Sequence, residues 1–374
     1  MNSNGTILYI GGFELPDKNA AAHRVINNAK ILDRLGYNVI LVGVSRDPAI
    51  DMYILPTKKK IFQFDSYEVK YPRNTAEWIK AMTNIAPYKE IIKGDNSIVS
   101  VICYNFHSFA FEKIRKYCKS KKIKCYGDVT EWYSSANEKS VIKLIKSFDT
   151  WYRMTVIQKR LDGLIVISRY LQNYYLKCKN VVYIPSLADV TQEKWSNPNT
   201  KNKEVLQMVY AGNPGEKDRI DYLIKALATV SRLYRLDIIG ISKEQYLKYY
   251  PLDQALAENK NILFHGRLPH LETLDFVKKA NYSCFFREDD RVSRAGFPTK
   301  LAEALSCGTP VLTNETSNIR EYITNDCNGI IVGELSTECI SKTIEALPLV
   351  MPINNQLLHY EAFIKNMRGL FNNE

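Results

Sequence analysis

The sequence lacks any apolar stretch near the ~20 residues that a transmembrane helix needs. It begins Met-Asn-Ser-Asn-Gly-Thr and passes at once into the short apolar run Ile7–Ile10. This start has no basic lead, no long apolar core and no cleavage site, so it does not read as a signal peptide. The expected location is therefore the cytoplasm, either in solution or on the inner face of the membrane.

Patterns for metal binding and disulfides are also missing. The eight cysteines include no Cys-x-x-Cys pair, and no second pair of ligands lies at zinc-like spacing. Most of these cysteines lie in apolar runs, which favours buried, reduced thiols. The acidic run Glu288-Asp289-Asp290 could serve a divalent metal beside a diphosphate, but a solvated loop is the favoured interpretation. The sequence therefore predicts no metal site.

Negative charge is scarce in the first half of the chain. Residues 1–190 contain 29 Lys and Arg against 17 Asp and Glu, whereas residues 191–374 contain 22 against 23. The basic residues concentrate at Lys58–Lys60, from Lys113 to Lys124, and at Lys139, Lys143 and Lys146. Such a field attracts anionic membrane surfaces, lipid phosphates or nucleic acid, although a solvated basic surface explains it equally well. Nucleic acid is disfavoured because no recognition helix, zinc spacing or aromatic RNA platform accompanies the charge.

Apolar runs alternate with helical patterns along the whole chain. Twelve short runs read as strands: Thr6–Ile10, Val39–Val44, Ser97–Tyr104, Ile123–Tyr126, Gly163–Ile167, Val181–Ile184, Leu206–Ala211, Leu236–Ile241, Asn261–His265, Tyr282–Phe286, Pro310–Thr313 and Gly329–Val332. Several are apolar almost throughout, which is typical of strands buried on both faces. The fold class is therefore α/β, with parallel sheets covered by helices.

A chain of 374 residues is longer than one hydrophobic core usually supports. The segment from Pro185 to Lys203 is poor in core-forming residues and reads as a linker. The predicted domains are residues 1–190, residues 191–352 and a C-terminal helix within 353–374 that packs back toward the first domain. Two such units would leave a cleft between them, and open α/β sheets bind ligands at the carboxyl ends of their strands.

The segment from Arg287 to Asn314 contains the strongest functional pattern. A strand and a polar loop are followed by Gly296-Phe297-Pro298, which precedes a predicted helix over Thr299–Ser306. A helix start with free backbone N–H groups attracts an anion. Lys300 in the first turn adds a full positive charge, and Glu303 can accept paired hydrogen bonds from vicinal ribose hydroxyls.

The stretch AGFPTKLAEALSCGTPVL resembles the donor-site signature of retaining glycosyltransferases of the GT-B fold, family 4. In that family two glutamates flank a glycine-rich turn, and a Cys-Gly-x-Pro-Val stretch follows. Glu303 matches the second glutamate, and Cys307–Val311 matches the tail. The position of the first glutamate is Ala295, so the resemblance implies that Arg294, Asp290 or Asp289 holds the sugar, or that the enzyme is impaired.

The resemblance extends to further glycine–basic pairs on the donor side. Gly212-Asn213-Pro214-Gly215 follows a strand and precedes Lys217, and backbone amides with an ammonium group make a diphosphate clamp. Taken alone, the segment is more often an ordinary turn. Gly266-Arg267 resembles the pair near the nucleobase and diphosphate, and Gly12 matches the family's mobile loop. Gly11-Gly12-Phe13-Glu14 is not a Gly-x-Gly-x-x-Gly fingerprint, which disfavours a dinucleotide.

Three residues in the first half are candidates for chemistry on the acceptor. Asp128 and Glu131 follow a predicted strand beside Trp132, and either carboxylate could orient or deprotonate an acceptor hydroxyl. His107 is the third candidate. A helix-capping role for the two carboxylates stays open. His23 and Arg24 open the helix after the first glycine turn, and either could meet an anionic acceptor, although a lone histidine is more often structural.

The resemblance implies a metal-independent, retaining hexosyltransferase. Its co-substrate is a nucleotide diphospho-sugar, with a UDP-sugar favoured, and no other cofactor is expected. The basic first half suits a lipid-linked or saccharide acceptor, and the resemblance alone implies assembly of a bacterial surface polysaccharide as the context. Two alternatives remain: an impaired glycosyltransferase-like binding or scaffold subunit, and a sugar-nucleotide epimerase of the same architecture.

Overall fold

The computed structural model describes residues 3–16, 18–50, 57–132, 140–197, 201–202, 204–214, 217–351 and 353–371, without the side chains of residues 140–142. The chain divides into two compact units. Unit 1 comprises Met1–Leu187 and Tyr360–Glu374, and unit 2 comprises Ala188–His359. The passage from unit 1 to unit 2 lies inside the predicted linker.

Each unit is built around one sheet of largely parallel strands. Unit 1 has eight described strands in the order β3-β4-β2-β1-β5-β6-β7-β8, and unit 2 has six in the order β11-β10-β9-β12-β13-β14. All neighbouring strands are parallel except β3, which is antiparallel to β4. The strands are β1 Thr6–Gly11, β2 Asn38–Ser45, β3 Lys59–Ile61, β4 Phe64–Lys70, β5 Ile98–Tyr104, β6 Lys124–Val129, β7 Gly163–Val166, β8 Val181–Tyr183, β9 Leu206–Ala211, β10 Tyr234–Ile239, β11 Ile262–Gly266, β12 Tyr282–Phe285, β13 Val311–Asn314 and β14 Gly329–Val332.

Helices connect the strands in both units. They are α1 Ala20–Arg34, α2 Thr75–Ala81, α3 Ala86–Gly94, α4 Ser108–Ser120, α5 Ser140–Tyr152, α6 Arg169–Tyr174, α7 Ile220–Leu227, α8 Lys243–Tyr249, α9 Gln254–Ala257, α10 His270–Lys279, α11 Arg291–Ala295, α12 Thr299–Ser306, α13 Thr337–Ala346 and α14 Ile364–Arg368. A π-helical segment, Arg153–Ile157, continues α5, and short 3-10 helices cover Gln158–Arg160, Glu193–Trp195, Pro251–Asp253, Ile319–Glu321 and Tyr360–Phe363. The parallel sheets flanked by helices confirm the predicted α/β class.

The twelve predicted strands match twelve of the fourteen described strands, with shifts of a few residues at their ends. The two that sequence reasoning missed are β3 and β4, which form a hairpin at the edge of the unit 1 sheet. Lys58 pairs with Asp65 at 2.6 Å, and Lys59 pairs with Glu68 at 2.8 Å. Two charges of the basic run are therefore offset by ion pairs, and lysines on an edge strand also discourage pairing with another chain.

The C-terminal segment packs on unit 1. Met367 and Leu370 are fully buried, and the ring of Phe371 lies 4.8 Å from that of Tyr37 and 5.6 Å from that of Tyr126. Asn366 donates a hydrogen bond to the Tyr183 carbonyl at the end of β8. The chain thus returns to unit 1 after completing unit 2.

The described part of the predicted linker contains core residues that its overall composition conceals, namely Leu187, Ala188 and Trp195. Trp195 is buried within unit 2, at the end of a 3-10 helix. Residues 198–200 and residue 203 of this segment lie outside the described residues, as does Lys139 of the basic group. Among the described helices, none combines the length and the apolar character required to cross a membrane.

Candidate functional site

The carboxyl ends of the unit 2 strands form the first candidate site. Gly212 follows β9, Gly240 follows β10, and Gly266 ends β11. All three have positive φ angles, of 138°, 106° and 66° respectively. Because the strands are parallel, these glycines lie at one edge of the sheet. The Gly240 amide donates to the Gly266 carbonyl at 2.6 Å, so two of the glycine turns are directly joined.

Asp218 lies at this edge of the sheet and is the common partner of three other polar side chains. Its carboxylate accepts hydrogen bonds from Lys300 Nζ at 2.6 Å, from Arg287 Nε at 2.7 Å and from the Tyr210 hydroxyl at 2.8 Å. The Asp218 side chain is only 2% exposed. Two cations therefore share one buried carboxylate, and the cluster keeps a net charge of +1.

The electrostatics of Asp218 follow from these partners. Burial by itself raises the pKa of a carboxyl, but the charges of Lys300 and Arg287 and the hydrogen bonds from Lys300 and Tyr210 lower it more. The result is that the pKa of Asp218 falls to about 2. The carboxylate is thus ionised throughout the physiological range.

Lys300 is held from three sides at the start of α12. In addition to its bond to Asp218, its ammonium group lies 5.1 Å from the centre of the Tyr210 ring. A Cβ atom on Gly212 would lie 2.7 Å from Lys300 Nζ, so any other residue at this turn would displace the lysine side chain from its observed position. The structure therefore brings together two of the predicted donor-site residues, Gly212 and Lys300.

The turn before α12 is anchored by its aromatic residue. Phe297 is buried and packs edge-on against Tyr322 at 5.4 Å, and Pro298 is also buried. The Gly296 carbonyl accepts a hydrogen bond from the Ser317 hydroxyl at 2.7 Å. These contacts hold the N-terminus of α12, where the backbone N–H groups favour an anion.

Glu303 lies one turn further along α12. Its carboxylate is partly exposed, and Oε1 is 3.3 Å from Nε2 of His270 at the start of α10. A carboxylate that is accessible on one side and has a polar neighbour on the other can accept hydrogen bonds from a ligand's hydroxyl groups.

The acidic loop before α11 is occupied by ion pairs and a helix cap. Asp289 accepts two hydrogen bonds from Arg294, at 2.7 and 2.6 Å, and Glu288 pairs with Arg219. Asp290 accepts from the Ser293 amide and caps α11. Within the described part of the chain, no group of three or more His, Cys, Asp and Glu side chains is arranged to hold a metal ion.

Ala295, the position of the family's first glutamate, is completely buried at the end of α11. A carboxylate at this position would be enclosed by protein in this structure. The other predicted donor-side residues, Asn213, Lys217 and Arg267, are exposed in the loops after β9 and β11. Gly215 and Glu216 lie outside the described residues.

Unit 1 places Asp128 where a ligand cannot reach it. The side chain is 0% exposed, and Arg24 donates to its two oxygens at 2.7 to 3.0 Å. Tyr9 donates to Asp128 at 2.5 Å, and Asn28 donates at 3.3 Å. Burial and the charge of Asp128 raise the pKa of Tyr9 well above its ordinary value. This network favours a structural role for Asp128 and Arg24 rather than the predicted contact with an acceptor.

A second candidate site is a cavity of about 120 Å³ within unit 1. Gly12 and His107 line it, at the carboxyl ends of β1 and β5, together with Tyr71 and Trp78. The Trp78 ring stands perpendicular to both neighbours, at 5.6 Å from Tyr71 and 5.5 Å from His107. Aromatic faces beside polar groups suit the apolar and hydroxylated surfaces of a saccharide.

Burial lowers the pKa of His107; Asp149 opposes that shift and Arg153 adds to it. The imidazole is therefore neutral at pH 7 and can accept a proton or a hydrogen bond. Glu131 is partly exposed just beyond the end of β6 and does not line the cavity described here. The structure therefore brings Gly12 and His107 together, without Glu131.

Sequence reasoning missed the roles of Asp218, Arg287 and Tyr210. The available signal was an aspartate three residues after the glycine turn Gly212–Gly215, in a loop otherwise suited to an anion. Such an aspartate is unfavourable beside a phosphate unless cations surround it, so its presence indicated nearby basic residues.

Comparison with known proteins agrees with this architecture. Residues 191–358 match the family described as glycosyl transferases group 1. No curated protein sequence matches the chain. Several solved structures share its fold across nearly the full length.

One of these structures is sucrose-phosphate synthase from Thermosynechococcus elongatus, with a TM-score of 0.70, 15% identity, and coverage of 99% of this chain and 98% of that chain. A second is HepE from Anabaena in complex with UDP and glucose, with a TM-score of 0.66, 12% identity, and coverage of 99% and 100%. A third is the lipopolysaccharide outer core galactosyltransferase WaaB, with a TM-score of 0.57, 16% identity, and coverage of 98% and 99%. Residues 191–358 therefore match a group 1 glycosyltransferase domain, and the chain has the GT-B fold of these solved structures.

Proposed function

We propose that this protein is a retaining, metal-independent family 4 hexosyltransferase. Its donor would be a nucleotide diphospho-sugar, preferably a UDP-sugar, and its acceptor a hydroxyl of a lipid-linked or polysaccharide intermediate. We place it in the cytoplasm, at the inner face of the membrane. The observation that carries the proposal is the cluster in which Asp218 holds Lys300 and Arg287 at the carboxyl edge of the unit 2 sheet.

The cluster suits a diphosphate because its net charge is positive and its lysine is already positioned. Asp218 holds the Lys300 ammonium at the N-terminus of α12, so little side-chain entropy is lost when an anion binds. The exposed side chains of Lys217 and Arg267 add positive charge in neighbouring loops. These groups would stabilise the negative charge that develops on the diphosphate as the glycosidic bond breaks.

Glu303 is the group proposed to recognise the ribose. It lies one turn after Lys300 on the same helix, and its carboxylate is partly exposed. The sugar would then depend on groups other than the missing family glutamate, and the Asp289–Arg294 pair is exposed and nearby in sequence. HepE, which has the same fold, has been solved with UDP-glucose, which supports a UDP-sugar as donor.

The unit 1 cavity is the proposed binding site for the acceptor saccharide. His107 would accept a proton or a hydrogen bond from the acceptor hydroxyl, and Tyr71 and Trp78 would contact the sugar ring. Glu131 stays a candidate for the same step, whereas Asp128 is left out because of its burial. WaaB, described as a lipopolysaccharide outer core galactosyltransferase, shares the fold, which supports a lipid-linked acceptor.

The test is a thermal-shift screen with UDP, GDP and their sugar conjugates. A ligand that binds only the folded chain raises the unfolding midpoint by mass action. We expect UDP and a UDP-sugar to raise it, and Lys300→Ala and Glu303→Ala each to reduce the apparent affinity at least tenfold. Lys279→Ala, an exposed lysine on α10, is the matched control and should leave the shift unchanged.

The outcomes separate the remaining alternatives. If no sugar nucleotide shifts the midpoint at millimolar concentration, the donor assignment is wrong. If UDP binds but lipid-linked and saccharide acceptors receive no sugar, the chain is a binding or scaffold subunit. Conversion of the donor sugar without an acceptor would identify an epimerase, and proton NMR of any transfer product would show whether the anomeric configuration is retained.

A further inference from the structure

Helix α5 of unit 1 exposes large apolar side chains on one face. Leu144, Ile145, Phe148 and Trp151 recur at helical spacing, and Phe109 on α4 stacks against Phe148 at 6.1 Å. These five residues, called the aromatic face below, are each 44–71% exposed. Exposed apolar groups in one contiguous cluster mark an interaction surface.

The aromatic face adjoins the proposed acceptor cavity along the chain. His107 lines the cavity, and Phe109 follows it after one residue, on the first turn of α4. Asp149 of α5 accepts a hydrogen bond from the Ser108 amide at 2.8 Å. The helix that displays the aromatic face is therefore attached to the segment that forms part of the cavity wall.

The surroundings of the aromatic face are basic. Lys143 and Lys146 are exposed on α5, and every described residue from Lys143 to Phe148 is exposed. On α4, Lys113 and Lys116 are exposed one and two turns after Phe109, so they lie on the same side of that helix. Aromatic and aliphatic side chains interspersed with lysines are typical of helices that lie in the interface of an anionic membrane.

We infer that the aromatic face docks unit 1 onto an anionic lipid bilayer. Phe109, Leu144, Phe148 and Trp151 enter the boundary between headgroups and acyl chains, while the lysines of α4 and α5 contact lipid phosphates. The inference rests on the proposed lipid-linked acceptor, because docking would hold the acceptor cavity near the carrier lipid. A protein partner is disfavoured because the lysines would require a matching acidic surface, which an anionic bilayer supplies everywhere.

The test is co-sedimentation of the full chain with phosphatidylglycerol–phosphatidylcholine vesicles and with pure phosphatidylcholine vesicles. We expect binding to the anionic vesicles that weakens with added salt. Phe148→Ser with Trp151→Ser should reduce the partition coefficient at least tenfold, because two interfacial side chains are lost. Lys143→Gln with Lys146→Gln should reduce it about fivefold per lysine.

A matched control is Leu252→Ser, which removes a 95% exposed leucine from unit 2 and should leave vesicle binding unchanged. Circular dichroism and the UDP-induced thermal shift verify that each variant is folded and retains its donor site.

The inference is overturned if the wild-type chain does not sediment with anionic vesicles, or if the aromatic-face variant binds them as well as wild type. It is also overturned if that variant still binds the vesicles but wild type forms oligomers, by analytical ultracentrifugation, that the variant does not form. The aromatic face would then be a contact between protein chains. A retained UDP shift in these cases leaves the proposed function standing.

Discussion

At the scale of single residues, Asp218 decides where the cations of the proposed donor site lie. A buried carboxylate is stable only when it is paired and hydrogen-bonded, and Lys300, Arg287 and Tyr210 meet that requirement. The ion pairs in turn hold Lys300 at the start of α12. Stability and the proposed donor binding are therefore coupled through one carboxylate.

Replacement of Asp218 by Asn should expose this coupling as a pH dependence. The folded-state pKa of about 2 is below the ordinary value of 3.8, so the ionised carboxylate stabilises the fold above pH 4. That contribution is lost as the pH falls from about 4 to about 2. At pH 7 we expect Asp218→Asn to lower the free energy of unfolding by at least about 2 kcal/mol, and the difference from wild type should shrink in acid.

Urea unfolding of both proteins at a series of pH values measures this difference. Asp289→Asn is the matched control, because Asp289 also pairs with an arginine but is exposed. That variant should differ from wild type by less than about 1 kcal/mol. An effect of Asp218→Asn that is equally small, or that does not change between pH 7 and pH 3, would contradict the assigned role.

At this level, the sequence could group candidate site residues only where they lie close together along the chain. The neighbourhood of Lys300, Glu303 and Gly296 could be predicted because one turn and one helix contain them all. Asp128 could not be assigned from sequence. Its partners Tyr9 and Arg24 are more than one hundred residues away, and only the packing of β1, β6 and α1 joins them.

At the scale of elements, the turns after β10 and β11 require glycine for different reasons. A Cβ on Gly240 would lie 2.3 Å from the Gly212 carbonyl oxygen, which is backbone and cannot move aside. Gly266 also has a positive φ, but a Cβ there would meet no atom within 4 Å. The first glycine is required by contact, whereas the second is required only by its backbone conformation.

Alanine substitutions at these two turns should therefore differ in cost. We expect Gly266→Ala to lower the free energy of unfolding by about 1 kcal/mol, the strain of a non-glycine residue at positive φ. Gly240→Ala adds a clash between two turns and should cost at least about 2 kcal/mol more. Urea unfolding of the two variants measures the gap. Equal losses would show that the close approach of Gly240 to Gly212 is not important for stability.

Hydrophobic periodicity predicted some strands of the sheets and missed others. Buried strands such as β9 and β14 were predicted with their observed ends because nearly every residue in them is apolar. The hairpin of β3 and β4 was missed because charged and polar residues interrupt its few apolar residues. Its lysines were interpreted as part of a basic surface. The side-chain contacts that accompany the backbone pairing of this hairpin are the ion pairs Lys58–Asp65 and Lys59–Glu68, which a hydrophobic pattern does not detect.

At the scale of the whole molecule, the chain begins and ends in the same unit. The last described residues complete the core of unit 1, although about 170 residues of unit 2 precede them. The sequence predicted a terminal packing helix from its apolar positions. It could not identify the partners, because Tyr37, Tyr126 and Gly163 lie far apart in the sequence, in the loop before β2, in β6 and in β7.

Shortening Leu370 should therefore weaken unit 1 while leaving unit 2 intact. The side chain is fully buried and packs close to Gly163 in β7, so Leu370→Ala leaves a cavity and should cost about 3 kcal/mol. Hydrogen exchange measured peptide by peptide should show faster exchange in α1, β7 and β8, with unchanged protection in β9–β14. Arg368→Ala, an exposed neighbour on α14, should change neither unit. Faster exchange in both units would instead mean that the C-terminal segment stabilises the molecule as one cooperative body, and no change in either would mean that its packing contributes little.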